Sequence, residues 1–215
     1  MPPICRVDKP CRPSCPEAPP ASAGVALVLA TLLTSSWGCS PAERTAEDLS
    51  FRVDSTRLGA RFDAGALQIQ APRGWEPVSA DTIAMVMRRV RHEDDPTLLA
   101  LYRQPEGSAL AVSAYPYRLE AQARDSLLRR VESDWRTRNP SARVQRGRFR
   151  HGGADVSQLM IADTSQVVFK LLVAGPEGPL HQLDYIIPRS VYRRELEAVE
   201  SSIGSIQTAH RKEAA

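Results

Sequence analysis

Cysteine is scarce where a domain could fold: Cys5, Cys11 and Cys15 fall in the first 20 residues, the fourth is Cys39, and none follows. That excludes an internal disulfide framework and paired-cysteine zinc ligation downstream. Charge of one sign is lacking too, with a formal net charge of +3 over 215 residues. A nucleic-acid binder relying on phosphate neutralisation is not expected. Long apolar runs are missing: the apolar run at residues 23–33, which carries no charge, has eleven residues, against about 20 for a membrane-spanning helix. Only four histidines occur, with no His-Glu-x-x-His and no two at helical spacing, so zinc has no sequence support. There is no Gly-x-Ser-x-Gly nucleophile elbow and no glycine-rich phosphate loop before a helix.

What is present is globular composition, 42% hydrophobic and 25% charged. It is unevenly spread. Seven of the 17 prolines lie in residues 1–20, where they disfavour helix and central strand. The apolar run then reads as the h-region of a secretory signal, preceded at some distance by Arg6, Lys9 and Arg12. Residues 1–38 are accordingly expected to be a signal peptide with an overlong n-region.

The residues closing that segment, Ser36-Trp-Gly-Cys39, resemble the lipobox of bacterial lipoproteins, with Gly38 as the small residue and Cys39 as the cysteine to be acylated. Ser36 and Trp37 depart from the pattern, which usually has Leu and a small residue there. The resemblance implies lipid attachment at Cys39, and a mature chain starting there contains no other thiol. Two or three acyl chains anchor firmly, because each buried methylene contributes about 0.8 kcal/mol. Ser40, in place of an inner-membrane retention Asp, favours the outer membrane, facing the periplasm. Residues 39–64, polar and weakly periodic, are expected to carry the lipid and act as a flexible tether, and 208–215 to be a disordered tail.

Between them, residues 65–207 show element after element. Ala66–Ala71 alternates as a strand and stops at Pro72-Arg-Gly-Trp75. Ser79 and Asp81 open a helix over 80–91, with Ile83, Val86, Met87 and Val90 on one side. Segments 97–102 and 109–115 flank Gln104-Pro-Glu-Gly107 as a hairpin, and 119–138 is a helix with Leu128, Val131 and Trp135 aligned, ended by Asn139-Pro140. Strands over 143–150, 155–162, 166–174 and 180–187 are joined by gaps short enough only for antiparallel hairpins. A last helix aligns Tyr192, Leu196, Val199, Ile203 and Ile206. The fold class expected is α+β, an antiparallel β-sheet meander flanked by helices.

This order of elements, with Pro72-Arg-Gly-Trp75, Tyr185-Ile-Ile-Pro188 and Ser201-Ser-Ile-Gly-Ser-Ile206, resembles the PsbP-like α/β/α sandwich of the photosystem II extrinsic protein, a Ran-binding import factor and many bacterial lipoproteins. The resemblance implies a binding or assembly factor without a shared catalytic site. The expected function is thus a non-catalytic, membrane-anchored envelope lipoprotein meeting an unidentified envelope protein, with no cofactor, no metal and no nucleic acid.

Four features carry alternatives. His92-Glu-Asp-Asp95 is the densest set of hard-metal ligands, but calcium needs six to eight oxygens and a solvated helix-terminal loop is the simpler reading. His151-Gly-Gly153 resembles an esterase oxyanion segment, although a tight turn explains the glycines equally. Arg146, Arg148 and Arg150 share one strand face, a candidate surface for an anionic partner or a solvated face guarding a strand edge. Trp75 and Trp135 are expected in the core, and His181, inside a strand, as a surface or satisfied core residue rather than a catalytic base. Convergence of His92, Glu93, His151 or His181 would instead favour a small hydrolase or metal-dependent enzyme.

Overall fold

A computed structural model of the protein describes residues 47–90, 96–176 and 178–208. The expected signal peptide, Cys39, the His92–Asp95 run and the C-terminal tail beyond Thr208 lie outside the described residues. Among the described residues, no helix is long and apolar enough to cross a membrane.

The meander forms as its short turns dictate. Strands β7 (Arg143–His151), β8 (Ala154–Ala162), β9 (Gln166–Ala174) and β10 (Leu180–Pro188) pair antiparallel in sequence order. The hairpin β5 (Thr97–Arg103) and β6 (Ala109–Ala114) joins through β6 to β10. Two-residue strands finish both edges, β1 (Glu47–Asp48) parallel to β7 and β4 (Glu76–Pro77) antiparallel to β5, giving an eight-stranded sheet. A smaller antiparallel sheet is ordered β11 (Gln207–Thr208), β3 (Leu67–Pro72), β2 (Leu58–Asp63). Three helices complete the fold: α1 (Ala80–Val90), α2 (Ala121–Arg138) and α3 (Tyr192–Gly204). The class is the expected mixed α+β, antiparallel sheets flanked by helices.

Both faces of the large sheet are covered, which is why β9 reads Val-Val-Phe-Lys-Leu-Leu-Val with hardly a polar break. Its Phe169, Leu171 and Val173 enter one core with Ile69 of β3 and Val199 and Ile203 of α3, while Val168 and Leu172 enter the other beside Leu128 of α2. Val131 and Trp135 pack on that second core and Trp75 lies in the first, as expected from their helical and turn positions. One flank is thus a helix, and the other combines α3 with the small sheet.

Polar groups inside the first core are tied off. Tyr185 Oη lies 2.8 Å from Ser202 Oγ, which donates to the Gln70 carbonyl oxygen at 2.5 Å, joining β10, α3 and β3. Full burial pushes the Tyr185 phenol far above its ordinary range, against the opposing Ser202 bond, so the hydroxyl is neutral.

The tether expected over 39–64 is corrected at its C-terminal end. Residues 47–63 belong to the folded unit: β1 extends the large sheet, β2 pairs with β3, and Phe51 rests on Phe149 at 5.5 Å between ring centroids. The physical reason for the weak sequence signal is that β2 turns only Leu58 and Phe62 inward, the rest of Leu-Gly-Ala-Arg-Phe-Asp facing solvent across a bulge.

Candidate functional site

The arginine stripe finds its counter-charges within the fold. Alternation along β7 turns Arg146, Arg148 and Arg150 toward the α2 side, where Arg146 Nε meets Glu132 at 2.9 Å and Arg148 Nη1 meets Asp125 at 3.7 Å. Arg150 Nε meets Asp155, its cross-strand neighbour on β8, at 3.2 Å. Such part-exposed pairs contribute about 0.2–1 kcal/mol each. The stripe, a candidate surface for an anionic partner or a solvated face, already receives α2 and β8 acids.

The two described candidate histidines do not converge. His151 ends β7 and His181 begins β10, with β8 and β9 between them, about 14 Å by strand spacing alone. Both His151 nitrogens are engaged, Nδ1 3.1 Å from the Leu49 carbonyl oxygen and Nε2 2.8 Å from that of Gly204. A ring so held has no lone pair directed at a substrate. Gly152 and Gly153 form the β7–β8 turn with φ of +56° and +78°, the pair of positive values a two-residue hairpin requires. Among the described residues, no group of three or more His, Cys, Asp or Glu is placed to hold a metal ion. His92 and Glu93 lie outside the described residues.

His181 is 3% exposed, and burial holds its imidazole below the ordinary value of 6.5. The unfolded chain then takes up a proton below that pH before the folded chain does. Stability is therefore fully present above pH 6.5 and declines as pH falls toward the folded value. His181→Phe is expected to remove that decline, seen as a flatter urea midpoint between neutral and mildly acidic pH. Parallel pH profiles for parent and variant would rule the contribution out.

A polar line on the α2 side of the sheet is likewise closed upon itself. Tyr115 Oη donates to Gln182 at 2.9 Å, Gln182 donates to Asp184 at 2.6 Å, and Asp184 meets Lys170 Nζ at 2.6 Å.

Among the described residues, Arg124 is a buried charge that the fold leaves incompletely paired. It sits in the first turn of α2, one turn ahead of Leu128, on the stripe continued by Val131 and Trp135. It is 4% exposed, its Nε has no partner, and its nearest acid is Asp155, 3.8 Å from Nη2. Desolvation lowers its pKa, opposed by the Asp155 carboxylate.

Around it lies a cavity of about 290 Å³, walled by Arg118, Glu120 and Ala121 of the α2 entry, Asp155 of β8, and residues 174–176 and 178–180. A second, more open concavity beside Arg150, His151 and Gly152 shares Asp155, Ala174, Gly175 and Pro176 with it as a common wall. The entry to α2 is short of side-chain capping: Glu120 is extended at φ −62° and ψ 157° and its carboxylate caps no amide.

Sequence reasoning passed over Arg124 because 25 arginines give no contrast. The signal that finds it is positional: a charge standing where the α2 apolar stripe calls for an aliphatic side chain.

No protein family and no curated protein matches the chain. Among solved structures, the solution structure of cyanobacterial PsbP (CyanoP) from Synechocystis sp. PCC 6803 is similar at 11% identity, over 71% of this chain and 94% of that one, with a TM-score of 0.49. A likeness of that size carries no residue-level correspondence.

Proposed function

We propose that the protein is a lipid-anchored, non-catalytic binding module of the bacterial cell envelope, held at the membrane through acylated Cys39, with residues 47–208 forming the binding domain. The observation that carries the anchored reading is the eleven-residue apolar run closing on Gly38-Cys39, followed by no other cysteine. An outer-membrane position facing the periplasm follows from Ser40 on the same reading.

The binding reading draws on how the domain uses its reactive groups. His151 is consumed in holding Leu49 and Gly204, and His181 is buried in a strand, whereas Arg124 borders a cavity with donors to spare. An enzyme assembled around those histidines is the weaker alternative. A binder needs only the cavity.

Expression of the full chain in a bacterial host, beside Cys39→Ala, tests the anchor by intact mass of the membrane fraction. The expected product begins at Cys39 and carries acyl mass, and the variant lacks both. An unacylated soluble product from both chains would overturn the reading.

A further inference from the structure

We propose that the niche at the start of α2 is a binding site for the carboxylate of a small organic acid, with the Arg124 guanidinium as its anchor. The inference concerns the domain alone and stands whether or not Cys39 is acylated.

A guanidinium carries five donors in a planar fork, and burial is costly unless they are met. Arg124 meets none of its own within hydrogen-bonding distance; the Asp155 contact at 3.8 Å is an ion pair without a bond, and Nε faces nothing. As a structural element it is a poor choice. Leu or Met at this position would extend the stripe of Leu128, Val131 and Trp135 and dock α2 without a desolvated charge. The charge is accounted for by a ligand that completes it.

Three features of the surroundings select the ligand. The cavity lies at the opening turn of α2, where Ala121 lines it: the first helical bond is Arg124 N–H to the Glu120 carbonyl, so the amides of residues 121–123 have no acceptor within the helix, and the dipole there favours an anion. Arg118 joins the wall, its guanidinium steadied by the Pro176 carbonyl oxygen. Against these positive groups stand the carboxylates of Glu120 and Asp155 in the same wall. With Asp155 turned to Arg150, Arg118 and Arg124 together outweigh Glu120 by about one charge, which suits one negative charge and disfavours a phosphate dianion. The planar, two-oxygen geometry of a carboxylate matches the guanidinium fork, and about 290 Å³ lies at the small end of ligand pockets.

Thermal unfolding of the full chain in sodium propionate, against sodium chloride and sodium phosphate at matched ionic strength, tests the site. Propionate is expected to raise the midpoint saturably, as a ligand of the folded state does, and to move the Arg124 Nε–H resonance. Arg124→Met should unfold at the same or a higher temperature than the parent without ligand, and should lose the propionate response. Arg124→Lys, keeping charge but not the fork, should weaken that response at least tenfold. No propionate effect beyond chloride, an equal effect of phosphate, or a response surviving in Arg124→Met overturns the proposal. So does an Arg124→Met chain that fails to fold or melts below the parent, since the guanidinium would then be structural.

Discussion

Gly152→Ala is expected to cost more than about 3 kcal/mol of folding stability, enough to unfold a large part of a marginal domain. A Cβ built at Gly152 falls 2.0 Å from the Ile206 carbonyl oxygen, 3.0 Å from its carbon and 3.2 Å from the Gln207 Cα, all backbone. No side chain can step aside. Relief requires parting the β7–β8 turn from the segment after α3, where Gly152 O also accepts the Thr208 amide at 2.9 Å. Gly65→Ala is the control: at φ +75° with nothing within 4 Å, it incurs only the left-handed backbone penalty, about 1–2 kcal/mol. Urea denaturation of the two variants separates clash from conformation. Equal losses would show that the Ile206 contact yields freely.

Glu195→Ala should cost about 3 kcal/mol, because it strands polar partners inside the core. Glu195 is 7% exposed, and its carboxylate accepts from Trp75 Nε1, Gln104 Nε2 and Arg194 Nε, each at 3.2 Å. Three separate regions meet on it: the turn after β3, the β5–β6 hairpin and α3. Removing it leaves an indole N–H and an amide without acceptors. Glu195→Gln keeps one acceptor oxygen and should lose about 1 kcal/mol. If Glu195→Gln unfolds with the parent and only Glu195→Ala falls, the carboxylate bonds contribute nothing measurable and Glu195 serves by packing alone.

The elements legible in the sequence were those with a period or a stop. Segment 166–174 coincides with β9, and 180–187 falls one residue short of β10, because Gly175-Pro-Glu-Gly-Pro179 delimits them. The helix expected over 119–138 begins at Ala121, since Glu120 is still extended. β2 escaped notice for want of a pattern, with two inward residues in six, and β1, β4 and β11 are too short to have one.

The candidate site was less legible, for a different reason. Arg146, Arg148 and Arg150 were recognisable as one face, yet their partners Glu132 and Asp125 sit on a helix and Asp155 on the next strand, so only folding pairs them. Arg124 gains its meaning from what fails to arrive: Asp155, brought across the hairpin, turns to Arg150 at 3.2 Å and reaches Arg124 only at 3.8 Å.

The two-residue strands at the margins of the large sheet bear on how the protein tolerates crowding. A full-length outer strand offers a row of free donors and acceptors on which a neighbouring chain can lengthen the sheet. Here one margin ends in Pro77, which has no amide hydrogen to give, and the other ends on a short parallel segment beside a strand bearing Arg143, Arg146, Arg148 and Arg150. Each margin limits recruitment by a different means, imino-acid chemistry on one side and, on the other, an outer strand of two residues, too short to template a ladder. Molecules packed side by side should therefore remain separate instead of knitting into fibrils.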